Sequence, residues 1–478
     1  MANPITDKQL VQAIVPELQD DYRVAKSYVR DVPTQSLLHL RSLLFKLTDK
    51  IASALGKAIT TPNLYDRIEE LNNQRLINVR LTRRMHKIRA DGNRGAHPEK
   101  YRLAFDDLVK IAERSVERCA QLLAELYPVL LKQPVPDYQF VDFDSLAGRE
   151  ICYKAIMENH PESQLLVGLS LKTKALEQRK QEFSRAELAK ENVVEHQASS
   201  STLKQAGHYF ELAHTHLVAA KHEYGVALIN GYLGETQLSK GCELIKQAAQ
   251  SEHSEAMALY GFFLLTGNDA VDIDLTEAQR YLSKAAESGQ PEAMANLGVL
   301  YYQSGHAASN LEKAFQYTEQ AAQAGYPQGQ YNLYLMLVNG DGCDADAQAG
   351  ERWLAEAAEQ GHFDAMLARA QHMLSSDDLG HDKELAERYL REVIRYGHSV
   401  TAMLELSLGL ANGAFGDVDF VKACAWLLEA EHRSQDDASR LASITALKQE
   451  YANHIQQLLA QDQADEQLQL ALKGLSRG

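Results

Sequence analysis

Six blocks of about 36 residues repeat between Ala220 and roughly Arg433, and this period limits what the chain can fold into. Each block begins at a small residue, and successive starts are separated by 36, 37, 36, 36 and 37 residues. The block starts are Ala220, Ala256, Ala293, Gly329, Ala365 and Ala402. One helix–turn–helix unit of this size cannot bury its apolar face alone, so the period predicts helix pairs that stack into a solenoid.

Fixed columns inside the blocks support this interpretation. Glycine lies five residues after the start in three blocks, and a second small residue follows about 21 residues after the start. Small residues let two helix backbones approach closely, and a large residue three positions later fills the groove beside them. The large column contains Leu244, Tyr281, Tyr317, Trp353, Tyr389 and Trp426. Four blocks end in a glycine that is expected to end a helix in the left-handed conformation: Gly289, Gly325, Gly361 and Gly397.

These columns resemble the Sel-1-like repeat family, whose period is two residues longer than that of tetratricopeptide repeats. The third block, from Ala293 to Gly325, shows the pattern best: an alanine, Leu-Gly, an aromatic residue and a glycine, then Lys-Ala, an aromatic residue and Ala-Ala…Gly. Members of this family are generally adaptors or scaffolds. The resemblance therefore implies a protein partner bound by the repeats.

Composition and charge bound the remaining possibilities. The chain has 478 residues and a net charge of −16, but residues 1–132 contain 22 lysines and arginines against 16 acidic residues. The acidic remainder favours basic or neutral protein partners over nucleic acid. No apolar run is long enough to span a membrane, no secretion signal is visible, and the five cysteines lack CxxC spacing. We therefore expect a cytoplasmic protein with no cofactor, no metal and no membrane contact.

The chain is predicted to be all-α, an N-terminal helical bundle followed by an α-solenoid, in four segments. Residues 1–133 form the bundle, and Pro134 and Pro136 mark its end. Residues 137–202 form a helical connector that "ASSST" breaks near its end. The repeat solenoid occupies 203–433, including a degenerate first repeat, and polar capping helices occupy 434–478. Within the bundle, Thr61 is expected to cap a helix that has Pro62 in its first turn.

The segment "MHKIRADGNRGAHP", Met85 to Pro98, is the densest local signal outside the repeats. Gly92 and Asn93 are expected to end a helix, because both tolerate backbone conformations that other residues avoid. The segment resembles a helical domain of type I restriction-enzyme R subunits, which belongs to the HEPN superfamily. The shared pattern falls on Arg89, Gly92, Asn93, Ala96 and His97.

The HEPN resemblance leaves three roles open for this motif. HEPN ribonucleases have an arginine, four to six residues and then a histidine, whereas Arg89 is one residue too far from His97. If the domain is a ribonuclease, Arg89 and His97 are its catalytic candidates. A structural interpretation makes Arg89, Asn93 and His97 a hydrogen-bonded knot between two helices. Binding of nucleic acid or nucleotide without catalysis is the third.

A basic run surrounds the motif, and four of its members share one helix face: Arg80, Arg83, Arg84 and Lys87. This face is either a solvated or intramolecular charged surface, or a site that contacts phosphate backbones. No aromatic residues interleave with the run, which argues against stacking on single-stranded bases.

The predicted function is a non-enzymatic adaptor or scaffold that binds a protein partner through the concave face of the solenoid. Asn296 and Asn332 share one column of the first helices, where their amides could hold a partner's backbone or stabilise turns within the stack. The HEPN resemblance also implies a homodimer through the N-terminal domain, whose apolar helix from Leu37 to Leu55 needs cover. The alternative function is a defence-linked ribonuclease or nucleic-acid-binding effector, for example in antiviral defence, that the repeats regulate.

Overall fold

The computed structural model describes residues 4–476 except 60, 62, 97–102, 144–146, 190–196, 304–307, 376–381 and 462–464. The described part of the chain is almost entirely helical, with two strands of two residues each. This confirms the all-α class. No helix of the described part is long and apolar enough to cross a membrane.

The N-terminal bundle consists of six α-helices and one short 3-10 helix, Pro16–Leu18. The helices are α1 (Asp7–Ile14), α2 (Gln19–Tyr28), α3 (Pro33–Ala54), α4 (Leu64–Asn73), α5 (Val79–Ala96) and α6 (Phe105–Leu131). Helix α3 lies in the centre, and its apolar residues Leu37, Leu40, Leu44 and Leu47 are fully buried within the single chain. Contrary to the expectation that this apolar helix needs further cover, the single chain already buries these leucines.

Two short strands and a buried ion pair close this bundle. Strand β1 (Ile5–Thr6) pairs in parallel with β2 (Tyr138–Gln139). Next to β1, the Asp7 carboxylate accepts hydrogen bonds from Lys26 Nζ at 2.6 Å and Tyr22 Oη at 2.7 Å. Burial raises the pKa of Asp7, but the bonds from Lys26, the Val141 amide and Tyr22 outweigh it and hold this pKa below its ordinary value. The charge is thus buried with its partners satisfied.

Two expected helix boundaries in the bundle are wrong. Helix α4 begins at Leu64, and its N-cap is Asn63, whose side chain accepts from the Asp66 amide, rather than Thr61; Pro62 lies outside the described residues. Helix α5 continues through Gly92 and Asn93 to Ala96. Glycine is needed here for close packing: a Cβ on Gly92 would lie 2.8 Å from Arg41 Cβ, and one on Gly95 would lie 2.6 Å from Leu37 Cβ.

The segment after the bundle forms α7 (Ala147–Met157), α8 (Pro161–Ala189) and α9 (Gln197–Ala213). The expected break at "ASSST" is wrong, because residues 198–202 form the first turns of α9. The Glu182 carboxylate of α8 accepts hydrogen bonds from the backbone amides of Ala198 and Ser199, both at 3.0 Å. An acidic group from a neighbouring helix thus satisfies amides that have no partner at a helix start.

Each predicted repeat block folds into a pair of helices. The pairs are α10 (Val218–Ile229) with α11 (Leu238–Gln250), α12 (Ser254–Thr266) with α13 (Leu275–Glu287), α14 (Pro291–Gln303) with α15 (Ala308–Gln323), α16 (Pro327–Asn339) with α17 (Ala347–Glu359), α18 (Phe363–Ser375) with α19 (Lys383–Gly397), and α20 (Val400–Ala411) with α21 (Phe420–His432). Helices α22 (Ala438–Gln461) and α23 (Glu466–Leu475) follow.

The small columns mark the places where paired helices cross. A Cβ on Gly225 would lie 2.8 Å from Ile245 Cδ1, and one on Gly241 would lie 2.8 Å from the Gly225 carbonyl oxygen. In the sixth block Ser407 replaces the glycine, and its hydroxyl donates to the Ala423 carbonyl at 2.8 Å. The columns therefore specify helix contact, as the packing argument predicts.

The glycines that end the blocks behave as expected in three cases and differently in one. Gly289, Gly325 and Gly361 have φ of 80°, 81° and 85°. Gly397 does not take this conformation, because α19 includes it and His398 follows with φ of 50°. A Cβ on Gly397 would lie 3.2 Å from the Phe363 ring, so this glycine admits an aromatic neighbour instead of ending the helix.

The chain divides into two compact units. The first unit comprises Met1–Gly329 and Asp341–Asp344, and the second comprises Gln330–Gly340 and Ala345–Gly478. The N-terminal bundle therefore shares a compact unit with the first three helix pairs of the repeats. The boundaries proposed for the four segments stay predictions.

Candidate functional site: the motif helix and the repeat surface

The motif residues on α5 face the repeats of the first unit. Arg89 Nη2 donates to the Gln323 carbonyl at 2.8 Å, and Asn93 Nδ2 donates to the Ala324 carbonyl at 2.7 Å. Arg89 and Asn93 are four residues apart, so they lie on one side of α5. Both carbonyls lie at the C-terminal end of α15, where carbonyls lack partners within the helix and the dipole favours a cation. The motif thus caps a repeat helix.

A second cap acts one repeat earlier. Arg41 of α3 donates from Nη2 to the carbonyl of Gly289, which follows the end of α13, at 3.1 Å. Gly289 and Gly325 occupy the same column in consecutive blocks. The bundle therefore contacts two successive repeats at equivalent places. Nothing in the periodicity of the sequence distinguishes Arg41 from other basic residues of the bundle, so the sequence analysis missed it.

The other motif residues hold α5 to its own bundle. Asp91 is buried and accepts from Ser115 Oγ at 2.7 Å and from Arg118 Nη1 at 2.8 Å, both on α6. Gly92 and Gly95 allow the close contact with α3 described above. Because successive helical residues point about 100° apart, one short motif reaches α3, α6 and the repeats at the same time.

Two neighbours orient Arg89. Its Nε donates to His86 Nδ1 at 3.4 Å, and the guanidinium lies 5.2 Å from the Tyr65 ring centre. Since Nδ1 of His86 accepts, Nε2 carries the proton and donates to Glu69 at 2.7 Å. Burial, followed by the nearby Arg89 charge, lowers the pKa of His86. The imidazole is therefore held neutral beside the arginine.

These contacts bear on the roles left open for the motif. The Arg89 side chain is buried, with 6% of the residue exposed, and its guanidinium is engaged with a backbone carbonyl. Arg89 and Asn93 both bond to carbonyls at the end of α15, so the helices that these two residues join are α5 and α15. His97 lies outside the described residues. In this state the arginine is not accessible to a substrate phosphate.

Three of the four residues on the shared basic face are exposed, namely Arg80, Arg83 and Lys87. Arg80 and Arg84 both pair with Glu125 of α6, at 2.8 and 2.9 Å. Arg83 and Lys87 are exposed on the same helix. The charged face predicted from the spacing is thus largely solvated, and Glu125 neutralises part of its charge through Arg80 and Arg84.

The column that contains Asn296 and Asn332 lies on first helices of the repeats. Asn296 is on α14 in the first unit, half-buried, and its Nδ2 atom is buried with no hydrogen-bond partner among the described residues. Asn332 is on α16 in the second unit and is also half-buried. Each amide thus lies on the helix type that the column predicts.

The first helices also expose apolar residues. Phe262 on α12 and Tyr302 on α14 are 38% and 40% exposed, and Leu335 and Val338 on α16 are 40% and 44% exposed. Among the second helices, α13 buries Ala278, Tyr281, Leu282, Ala285 and Ala286. Its first residue, Leu275, is 50% exposed, and its other exposed residues are polar. An exposed apolar surface beside polar groups is typical of a binding site.

Two family models match parts of the chain. The model described as a domain of unknown function, DUF4145, matches residues 23–136. The Sel1 repeat model matches residues 254–290, 291–326, 327–362 and 400–432. The helix pair α18–α19 lies between the third and fourth of these matches, and its block has Ala370 in the glycine column.

Solved structures show remote similarity. A Sel1 repeat protein from Oxalobacter formigenes is 20% identical, over 53% of this chain and 99% of that chain, with a TM-score of 0.43. The protein c5321, a protective antigen of uropathogenic Escherichia coli strains with an SLR fold, is 17% identical over 99% of this chain and 97% of that chain, with a TM-score of 0.36. The immunity protein Pa5087 from Pseudomonas aeruginosa is 18% identical, over 46% of this chain and 81% of that chain, with a TM-score of 0.30.

The repeat assignment rests on the sequence columns, the helix pairs and the family match together. No curated protein matches the chain. The match to DUF4145 covers the bundle and leaves the HEPN resemblance a hypothesis. The sequence columns, the helix pairs and the family match agree, and together they show that this chain contains Sel1 repeats. Such repeats have the kind of fold that is found in protein-interaction scaffolds.

Proposed function

We propose that the protein is a non-enzymatic adaptor that binds a protein partner through the exposed face of the first helices of its repeats. The observation that carries this proposal is the apolar character of that face, above all the exposed Phe262 on α12. Exposed aromatic side chains beside polar groups are enriched where proteins bind one another.

The sequence column three residues after each block start supplies polar groups for the same interface. Residues three and six positions after a block start lie on one helix face, so Asn296 adjoins Val299, and Leu259 adjoins Phe262 one repeat earlier. The Asn296 amide offers a donor and an acceptor to a partner's backbone. Asn332 is proposed to do the same in the second unit. The acidic balance of the residues after 132 favours a basic or neutral partner.

A site-specific photocrosslinker tests this surface. Placed at Phe262, it should capture a defined partner, whereas the same group at Gln279, exposed on the second helix α13, should not. Binding of the purified partner should then weaken at least about 10-fold in Phe262→Ala and in the Asn296→Ala/Asn332→Ala double variant. Equal crosslinking at both positions, or unchanged affinity in both variants, would contradict the proposal.

The exposed Arg83 and Lys87 support a second candidate function, binding of nucleic acid by the N-terminal domain. The purified protein is incubated with tRNA, mRNA and short DNA beside Arg83→Glu/Lys87→Glu and His97→Ala variants. Salt-sensitive binding that is lost in the charge-reversed variant would support this candidate. Cleavage that is lost in His97→Ala would favour the ribonuclease instead.

Self-association through the N-terminal domain is proposed to use a surface other than α3, whose leucines are buried in one chain. Light scattering of the full-length protein at tens of micromolar tests it. A mass of one chain would contradict a homodimer.

A further inference from the structure

We propose a Zn²⁺ site formed by His222, His253 and Glu255, which joins the first helices of two consecutive repeats in the first unit. His222 lies on α10, and His253 and Glu255 lie at the start of α12. One potential ligand atom from each of the three residues lies within 4.8 Å of the other two. Two imidazoles and one carboxylate are a ligand set that zinc accepts in proteins.

The surroundings of the three side chains suit a metal ion. The His222, His253 and Glu255 side chains are only 12%, 18% and 27% exposed. The two imidazole rings lie with centroids 5.2 Å apart. Each imidazole presents two nitrogen atoms that can act as metal ligands.

A second carboxylate lies beside the three proposed ligands. The Glu223 carboxylate lies 3.9 Å from His222 Nδ1, and Lys172 of α8 holds it at 3.0 Å. Zinc bonds of about 2.0–2.1 Å place tetrahedral ligands roughly 3.3 Å apart. The three ligand atoms, which lie within 4.8 Å of one another, must therefore close in by up to about 1.5 Å.

The cluster lines a cavity of about 280 Å³ that has room for this movement. The cavity wall also includes Thr34 of α3, which is 6% exposed and whose hydroxyl has no hydrogen-bond partner among the described residues. A buried hydroxyl without a partner is costly unless something in the cavity satisfies it. A water or hydroxide on the metal would supply that partner.

One contact competes with the metal. His253 is the N-cap of α12, and its Nδ1 accepts from the Ala256 amide at 3.3 Å. In the neutral ring the proton is then on Nε2, which lies 3.5 Å from Glu255. Coordination through Nε2 moves the proton to Nδ1 and gives up the cap bond, which at 3.3 Å is a long and weak one.

The repeats themselves provide matched variants for the test. Ser399 caps α20 at the column that His253 occupies at α12, accepting from the Ala402 amide at 3.3 Å. His253→Ser therefore removes the imidazole while keeping a cap. His362 caps α18 in the same way, through the Ala365 amide, so His362→Ser is the control outside the cluster.

The experiment titrates Zn²⁺ into full-length protein stripped of metal, with calorimetry and thermal denaturation as readouts. We expect saturable binding of one ion and a rise in Tm, both retained in His362→Ser. Loss of a group that merely supports a metal ligand already costs about 10–100-fold in affinity, so His253→Ser and Glu255→Gln should each weaken binding at least about 100-fold. The visible spectrum of bound Co²⁺ should report four-coordinate geometry.

Two results would overturn the proposal. One is the absence of saturable binding of a single ion by the unmodified protein. The other is binding by His253→Ser and Glu255→Gln as tight as by His362→Ser, since the scattered surface histidines would then be responsible. Neither result depends on the identity of a protein partner, so the test is independent of the proposed function.

Discussion

Single residues of the motif decide how the N-terminal bundle is fastened within the first unit. Arg89 and Asn93 each satisfy one backbone carbonyl near the end of α15, and both are buried. When a buried carbonyl loses its donor, the folded protein is destabilised by the full desolvation free energy of that carbonyl. A hydrogen bond from a charged donor is also stronger than one from a neutral donor. The motif residues therefore contribute more than surface residues of the same type.

Replacement of Arg89 tests this contribution. Arg89→Met keeps much of the apolar stem but removes the donor to Gln323, so we expect a loss of about 1.5–3 kcal/mol in the free energy of unfolding of the first unit. Arg83→Met, on the exposed side of the same helix, should change it by less than about 0.5 kcal/mol. Urea denaturation measures both, and equal effects of the two changes would contradict the capping role.

The neutral His86 beside Arg89 gives the contact a pH dependence. The pKa of His86 in the folded protein is lowered, first by burial and second by the charge of Arg89. In the unfolded chain this pKa has its ordinary value of about 6.5, so the unfolded chain binds the proton more readily than the folded one. Stability contributed by this group is therefore present above pH 6.5 and is lost as the pH falls towards the folded pKa.

We expect the free energy of unfolding of the first unit to fall between pH 7.5 and 5.5, and His86→Gln to reduce the slope. Glutamine is neutral throughout this range and still offers an amide donor to Glu69. Urea denaturation at several pH values measures the slope. An identical pH dependence in the variant would assign it to other groups.

At the scale of elements, glycine has different tasks in neighbouring helices. Gly95 in the interior of α5 admits Leu37 of α3, and a Cβ there would lie 2.6 Å from Leu37 Cβ. Gly361 ends a repeat helix with φ of 85°, a conformation in which other residues are strained. His398 takes the equivalent left-handed position after α19, with φ of 50°.

Gly95→Ala tests helix packing against helix propensity. Alanine favours an exposed helix by about 1 kcal/mol, but overpacking between α3 and α5 should cost about 1–3 kcal/mol and outweigh it. Gly474→Ala is the control, because its Cβ would meet Leu428 at an ordinary 3.4 Å. Thermal denaturation should show a lower Tm for the first change and an unchanged or higher Tm for the second. Stabilisation by Gly95→Ala would refute the close contact.

Substitutions at the two left-handed positions, Gly361 and His398, should change the free energy of unfolding in opposite directions. Gly361→Ala should destabilise the second unit by about 1–2 kcal/mol, because alanine is strained at positive φ. His398→Gly should stabilise it by up to about 1 kcal/mol, since glycine relieves the same strain at some cost in chain entropy. Urea denaturation of both variants measures these free energies. Stabilisation by Gly361→Ala would be inconsistent with the backbone geometry.

At the scale of the whole molecule, the chain is organised as two compact units that divide near the start of the fourth repeat block, with Asp341–Asp344 of that block in the first unit. The bundle and the first repeats form one unit, and α16 belongs mostly to the second. Cooperative unfolding follows such groups of mutually packed elements. A substitution in one unit should therefore leave the protection of the other unit's backbone amides against hydrogen exchange largely unchanged.

Hydrogen exchange with mass spectrometry tests this division with one variant in each unit. The Arg41→Met/Arg89→Met double variant should raise exchange in α3, α5 and the end of α15 but not in α20 or α21. Ser407→Ala removes the bond to Ala423 and should raise exchange in α20 and α21 while sparing the first unit. Uniform changes throughout the chain would show that the two units do not unfold separately.

The all-α class, the repeat blocks and the columns that pack each helix pair could be predicted from the amino-acid sequence alone. These properties depend on residues close in sequence: a period, small residues at crossings such as Gly225 and Gly241, and left-handed glycines such as Gly325. The contacts of the motif on α5, by contrast, depend on how distant parts of the chain fold together. Arg89 and Gln323 are 234 residues apart, and a backbone carbonyl leaves no mark in a sequence, because every residue has one. For the same reason the sequence could not show that Gly92 lies inside a helix, that Arg41 caps the preceding repeat, or that His222 and His253 face one another.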